Sequence, residues 1–508
     1  MGVIIRQSIK GTVVNYIGVA IGFVTTFFVL TRCLTAEEIG LSRVLIDTAV
    51  MLAGLAQLGT NSSLMRFYPQ FKDADKKDHG VFFWTIVIPF AGFLIFSLLF
   101  LVFKEPVCRS FTEKSPLFVK YYYALFPLSF ALLYLAVFDT NANVLMRITV
   151  PKLIREVGIR SLLLVLYILY ALDLFSIDGF VWGICLIYAA ATLLNIIYVF
   201  SLKRVSLKPD FSLITKALRR DYLFYTLFLV SSSMVSVITP YVNTLFISAK
   251  MGLAFTGVFS IGVYVATLIE IPYRSLGAIS QPQLSLALNN AQQEQTNRLC
   301  KDVSLHQFLA GAFIFFVIWI NVDLLFEFLP NGETYVAAKW VILILGMNKL
   351  ISSSLTIGAS VLNYSRYYFW TLCINLFTTA LTIVLNNRLI PVWGMNGAAA
   401  ATLAVTLVYY LIILPFAYSK LKTNPFSGAQ GKVVLIVAGL LGLNALWGAV
   451  ITPLVSRIGL NPLPAHLIDG ILRTIVLVAL GCLAVYKWRI SDSVNDIARR
   501  LLSGRGRA

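Results

Sequence analysis

Apolar residues run along this chain in continuous stretches of about 20 residues, each closed by a short cluster of charged residues, glycine or proline. A stretch of that length crosses a bilayer as a helix. The stretches lack the strict alternation that a lipid-facing barrel strand needs, so helices are the expected element. The pattern predicts about fourteen spans, near 11–31, 44–64, 81–103, 118–140, 158–174, 179–200, 222–248, 255–280, 305–323, 337–360, 369–386, 397–417, 433–452 and 470–486. They occupy roughly 280 residues, which leaves little chain for a soluble domain. The expected fold class is an all-α integral membrane protein.

The punctuation repeats. "FVLTRCLTAEEIGLSRVLID" (Phe28–Asp47) and "LFISAKMGLAFTGVFSIGVY" (Leu245–Tyr264) place Gly40 and Gly257 at equivalent points, and 257 − 40 = 217. "NVLMR" and "SVLNY" align Val144 with Val361, where 361 − 144 = 217. "SIDGFVWGICLIYAAATLL" and "GMNGAAAATLAVTLVYYLI" align Gly179 with Gly397, where 397 − 179 = 218. One recurring offset implies two copies of a six-helix unit. Six is even, so both copies start on the same side and form parallel lobes around a central cavity. The expected organisation is an N-lobe at 1–200 (spans 1–6), a basic cytoplasmic linker at 201–221 and a C-lobe at 222–417 (spans 7–12). Two C-terminal helices at 418–486 (spans 13–14) and a basic cytoplasmic tail at 487–508 follow.

Composition agrees. Of 508 residues, 58% are hydrophobic and 13% charged, and mean hydropathy is +0.83. Soluble proteins hold about 45–50% apolar and about 25% charged residues. The net charge of +18 reads as topology rather than as nucleic-acid binding. With the N-terminus inside, roughly 29 of the 41 Lys and Arg fall in cytoplasmic segments and roughly 10 in outer ones. Both termini are therefore placed in the cytoplasm, with some attraction to anionic lipid. The first apolar stretch is too long for a cleaved signal peptide and no A-x-A site follows it. Six cysteines (Cys33, Cys108, Cys185, Cys300, Cys373, Cys482) are widely spaced; Cys33 and Cys108 are both expected in outer loops, where free thiols are the expectation and a disulfide between them the alternative. Three isolated histidines offer no metal site, and no cofactor is expected.

Polar residues cost free energy in hydrocarbon, so those on one helical face should meet protein or water. Span 7 carries Ser232, Ser236, Thr239 and Asn243 on one face, interrupted by Pro240; the equivalent face of span 1 carries Asn15 and Gly22. Close packing through Gly18 and Gly22 is the alternative for span 1. Span 2 carries Asp47, Gly54, Gln57 and Asn61. Span 8 carries Glu270 and Arg274 beside Pro272, with Gln57 and Arg274 repeat-equivalent. Span 10 carries Lys349, Ser353, Thr356 and Ser360, and span 4 ends with Asp139 and Asn143 at matching places. Lys349 is the deepest charge, and a central Lys costs about 2.5–3.5 kcal/mol on insertion scales. Lys349, Arg274, Asn15, Gln57, Asn61, Ser232, Ser236, Thr239, Asn243, Ser353 and Thr356 are the expected substrate-binding set. Asp47, Asp139 and Glu270 are the expected ion-coupling carboxylates. The bland alternative makes Arg43 with Asp47, Glu270 with Arg274, and Asp469 with Arg473 self-neutralising pairs four residues apart.

"LTAEEIGLSRVLIDTAVMLAGLAQLGTNSSLMRFYP", "GLAFTGVFSIGVYVATLIEIPYRSLGAISQPQLS" and "VWGMNGAAAATLAVTLVYYLI" resemble bacterial polysaccharide flippases. These are the O-antigen translocase (Wzx-like) branch of the multidrug/oligosaccharidyl-lipid/polysaccharide superfamily. The resemblance implies a transporter, not an enzyme, in the bacterial cytoplasmic membrane. It implies movement of a polyprenyl-diphosphate-linked oligosaccharide from the inner to the outer leaflet by two lobes rocking about a cationic cavity. A diphosphate is a dense anion for which buried Lys or Arg is a natural partner, and Ser, Thr and Asn offer partners for sugar hydroxyls. The implied partners are the lipid-linked oligosaccharide and membrane lipid, with a glycan polymerase and other biosynthetic proteins as further partners; nucleic acid is excluded.

Two other classes compete. A drug or solute exporter of the same superfamily usually has twelve spans. A major-facilitator protein carries a G-x-x-x-D-[RK]-x-G-[RK] loop that "RFYPQFKDADKKDHG" does not match. A glycan-processing enzyme would use "DAD" at Asp73–Asp75, but these residues sit in a short charge run without a nucleotide-binding domain. His306 and His466 show no acid or nucleophile beside them in sequence. "SLKPDFSLITKALRRD" and "KWRISDSVNDIARRLLSGRGRA" read as basic amphipathic helices on the inner surface.

Overall fold

The computed structural model describes residues 14–71, 77–203, 208, 237–290, 292–456 and 462–502. Among them every regular element is helical. The main helices are α1 (Val14–Cys33), α2 (Ala36–Ala56), α3 (Thr60–Phe71), α4 (Val81–Val102), α5 (Lys104–Thr112), α6 (Leu125–Val144), α7 (Ile159–Ala171), α8 (Ile177–Ser201) and α9 (Val242–Lys250). They continue as α10 (Leu253–Thr267), α11 (Glu270–Asn289), α12 (Gln293–Ile320), α13 (Val322–Phe328), α14 (Lys339–Asn363), α15 (Tyr368–Leu421), α16 (Gly428–Val450), α17 (Pro462–Lys487) and α18 (Asp492–Leu502). Among the described residues ten helices are long and apolar enough to cross a membrane, or eleven if α10 and the start of α11 count as one bent span. The chain is a multi-pass membrane protein.

The count differs from fourteen for local reasons. The predicted spans at 369–386 and 397–417 both lie on α15, a 54-residue helix broken at Gly394, where φ 58° and ψ −136° suit only glycine. At 158–174 the helix is α7, 13 residues long, entered through a π turn at Ile154–Gly158. The span at 222–248 falls mostly outside the described residues. The span at 44–64 begins earlier. Thr35 and Glu38 form a capping box, Thr35 accepting from the Glu38 amide and Glu38 accepting from the Thr35 amide at 2.8 Å, so "AEEIGLSR" is the first part of α2 and not a loop. Leu58 and Gly59, both with positive φ, end that helix.

The chain divides into two compact units, Met1–Ser260 and Ile261–Ala508. In the first, α2 packs on α4 and α6, and α6 on α8. Leu41, Val44, Ala49 and Leu52 of α2 are fully buried, and Phe82, Leu133, Val137, Ala142 and Val199 continue the core. Within the same unit α2 meets the start of α10 backbone to backbone. A Cβ on Gly40 would stand 1.8 Å from the Leu253 carbonyl oxygen, and one on Gly257 would stand 2.0 Å from that of Ala36. The contact is reciprocal, since 257 − 40 and 253 − 36 are both 217, the offset read from the sequence.

In the second unit, α11 packs on α12 and α14, and α14 on α12 and α15. α16 and α17 join α12 through Phe316, Val433, Ile436, Leu440 and Leu477. The outer face of α16 leaves Leu435, Leu443, Leu446 and Val450 exposed, as a lipid-facing helix requires. A buried polar knot fixes its start: Gln430 donates to Ser304 Oγ (2.7 Å), Ser354 Oγ (3.1 Å) and the Pro425 carbonyl (3.3 Å).

Candidate functional site

The break between α10 and α11 bends the chain by 50°. Its causes are written in the residues. Pro272 has no N–H and its ring meets the carbonyl four residues back, at Leu268. Thr267 turns its hydroxyl onto the Val263 and Tyr264 carbonyls, both at 2.8 Å, a bond that bends helices. Glu270 therefore opens a new helix, where the positive end of the helix dipole favours a carboxylate.

Small residues bring α14 against this break. Gly346 admits Phe315 and Ile269 to 2.9 and 3.3 Å of its would-be Cβ, and Gly311 of α12 admits Ser353 and Ile269 to 3.0 and 3.6 Å. One turn beyond Gly346, Lys349 donates to Glu270 Oε1 at 2.6 Å. The other carboxylate oxygen, Oε2, accepts from Arg274 at 2.8 Å. Side-chain exposure is 14% for Glu270, 24% for Lys349 and 71% for Arg274, so the carboxylate is the most enclosed member and Arg274 the most open. Pairing offsets the cost of placing Lys349 inside a span.

The next layer is hydroxyl-rich. Thr356 donates to the Ser352 carbonyl (2.6 Å) and shares a 2.8 Å hydrogen bond with the Tyr410 hydroxyl. Tyr273, on the turn of α11 that carries Glu270 and Arg274, also hydrogen-bonds Thr356, and Tyr410 also reaches Ser352. The cluster thus holds two cations, one carboxylate and several hydroxyl groups. Chemically, such a set can pair with an anion that also bears hydroxyls.

The other predicted residues lie elsewhere. Ser353 is buried, donates to the Leu350 carbonyl and faces Gly311, so it serves helix packing. Gln57 and Asn61 bond each other at 2.9 Å, and Asn61 also donates to the Ala136 carbonyl. Asn15 is exposed; Thr239 opens a short 3-10 turn, and Asn243 sits half-buried on α9. Ser232 and Ser236 lie outside the described residues, as do Asp73 and Asp75. Asp47 pairs with Arg43 at 2.9 Å and accepts from Thr244. Asp469 and Arg473 do not pair: Asp469 accepts from Trp447 and Thr452, and Arg473 donates to the Ile320 carbonyl. All six cysteines are free thiols.

Asp139 belongs to a second charged network that sequence reasoning saw only in part. Its Oδ2 accepts from Arg155 (2.7 Å) and its Oδ1 from Asn195 (2.7 Å). Arg155 also touches Glu156 (3.3 Å), and Glu156 accepts from Arg160 (3.0 Å), which donates to the Gly18 carbonyl (2.6 Å). Gly18 is a packing residue: a Cβ there would lie 2.7 Å from the Glu156 carbonyl oxygen. Two acids and two bases close on themselves, so this network is electrically neutral, unlike the cluster at Lys349. The only signal for it in sequence was the spacing of Glu156 and Arg160. His466 does have an acid partner, Glu327 at 2.8 Å, and His306 bridges the Asp302 carbonyl and Ser491.

The family described as "Polysaccharide biosynthesis protein" matches residues 4–285. No curated protein sequence matches. Solved structures share the fold. A lipid II flippase, MurJ, in an inward closed conformation is 13% identical, covers 93% of this chain and 98% of its own, and has a TM-score of 0.65. An inward-facing multidrug resistance transporter of the MATE family is 14% identical over 76% of this chain and 90% of its own, with a TM-score of 0.56. A transporter of the same MOP superfamily from Pyrococcus furiosus is 14% identical over 83% and 95%, with a TM-score of 0.57. The fold is that of MOP superfamily transporters.

Proposed function

We propose, on the premise that this chain belongs to the polysaccharide biosynthesis protein family, that it is a flippase for a polyprenyl-diphosphate-linked oligosaccharide, a repeat unit of O-antigen or another surface polysaccharide. It carries this unit from the cytoplasmic to the outer leaflet of a bacterial cytoplasmic membrane, both termini being cytoplasmic. The observation that carries the reading is the cluster of Lys349, Arg274 and Glu270 at a broken span. Discontinuous spans are where transporters build substrate sites. Two cations within reach of one carboxylate leave an excess of positive charge, which suits a diphosphate. Tyr273 of α11, Thr356 of α14 and Tyr410 of α15 form a linked set of hydroxyls beside the charged cluster, which suits a sugar.

In this reading the six-helix copies are the moving lobes and the polyprenyl tail stays in lipid. The reciprocal contact of Gly40 and Gly257 supports the duplication, because an axis relating two copies brings equivalent residues together. The test is genetic and structural at once. In a strain lacking the protein, Lys349→Ala should reach the membrane at normal abundance and fail to restore surface glycan. Normal surface glycan from that variant overturns the assignment of Lys349.

A further inference from the structure

Glu270 makes the contacts that a substrate anion would make: its two oxygens accept from Lys349 and Arg274 at 2.6 and 2.8 Å. We infer that Glu270 is an internal stand-in for the substrate's diphosphate, displaced when the head group binds, and that it then takes up one proton from water. The inference rests on the reading of Lys349 and Arg274 as the diphosphate-binding pair.

Charge decides the outcome at this partly enclosed place. Lys349 and Arg274 bring two positive charges and Glu270 one negative. The groups that face Glu270 are these two cations, Tyr273 on its own helix and Tyr410 of α15. From α12 the neighbours are Gln307, which donates to the Tyr273 carbonyl, and Gly311 beside Ile269, neither of them titratable. No second acid stands in this set to share the load. A diphosphate diester carries two negative charges. Bound beside an ionised Glu270 it would leave one uncompensated negative charge next to a carboxylate that is itself only 14% exposed. Bound beside a neutral Glu270 it leaves none. Loss of both cation partners and the new anion nearby each favour the protonated acid. A monophosphate diester carries one charge and reaches neutrality with Glu270 still ionised. The site therefore counts charge: a dianion brings one proton, a monoanion brings none.

The same geometry assigns Glu270 a selective role. A lipid with an uncharged head group offers Lys349 and Arg274 nothing in exchange for the carboxylate, so Glu270 holds the pair against it.

The test uses the full chain in nanodiscs and two probes, farnesyl-diphospho-N-acetylglucosamine and its monophosphate analogue. Calorimetry in two buffers of different ionisation enthalpy counts protons taken up. Wild type should take about one proton with the diphosphate, and its Kd should weaken about tenfold per pH unit above neutrality. The monophosphate should take none. Glu270→Gln should bind the diphosphate with no proton uptake and no pH dependence. Diphosphate binding by wild type without proton uptake, or unchanged uptake in Glu270→Gln, overturns the inference and leaves the diphosphate reading standing. No diphosphate binding by wild type overturns both. If Glu270→Gln does not fold, the contrast between the two probes on wild type decides alone.

Discussion

The contact of Gly40 with Leu253 makes a quantitative prediction. Heavy atoms do not come within 3.0 Å of a real Cβ, and a Cβ on Gly40 would stand at 1.8 Å from the Leu253 carbonyl oxygen, so Gly40→Ala forces at least 1.2 Å of separation (3.0 − 1.8) between α2 and α10. The obstacle is backbone on both sides, and no side chain can rotate away. Overpacking of this kind costs about 1–3 kcal/mol. In an alternating-access protein the cost falls only on the state in which the two helices touch. A bias of about 1–3 kcal/mol moves a two-state ratio by about 5- to 150-fold. Spin labels at Glu37 and Ala254, exposed and again 217 apart, report the α2–α10 distance by dipolar electron paramagnetic resonance. Wild type should give mainly the short distance, and Gly40→Ala should raise the long-distance fraction. Gly257→Ala should do the same, because its Cβ would stand 2.0 Å from the Ala36 carbonyl oxygen. A folded Gly40→Ala protein with the wild-type distance distribution would mean that the contact of Gly40 with Leu253 does not set the α2–α10 equilibrium.

Other expectations follow from the same structure. Arg155→Ala leaves Asp139 with Asn195 alone and should lower stability by about 1–3 kcal/mol in thermal unfolding; adding Asp139→Asn should recover part of the loss, and no recovery means that the two do not act as a pair. Gln430→Ala removes the donor shared by Ser304 and Ser354 and should also cost about 1–3 kcal/mol, read by thermal melting of the purified protein; an unchanged melt argues against a fixed start of α16. Cys108, on the short helix α5, should react in intact cells with a membrane-impermeant maleimide when Cys33 is replaced by Ser. Burial pushes its thiol above the usual range, so the thiolate is scarce at neutral pH and labelling should accelerate as pH rises. Labelling only after permeabilisation would contradict the proposed orientation.

Much of this was legible in the residues and some was not. Apolar run length identifies a helical membrane protein, because in hydrocarbon a chain has few other ways to satisfy its backbone. The repeat offset pointed to Gly40 and Gly257, which meet in the structure. Glu270 and Arg274 were readable as a pair because four residues is one helical turn. The partner of Lys349 was not, since it lies 79 positions away and the contact depends on a bend and two glycines. The same limit hid Arg155 from Asp139 and Glu327 from His466. The pair expected from Asp469 and Arg473 failed for a related reason: spacing allows a contact, but Trp447, Thr452 and the end of α12 compete for the same groups. Ser353 shows the limit of a polar stripe: a serine there can satisfy itself on its own helix and pack against glycine.

Flipping can be measured in vesicles that hold the purified protein and a fluorescent polyprenyl-diphospho-sugar, with a membrane-impermeant quencher to count the lipid in the outer leaflet. Wild-type protein should equilibrate the labelled lipid between leaflets, and Lys349→Ala should not. Wild-type vesicles that behave like protein-free ones would contradict the proposed function.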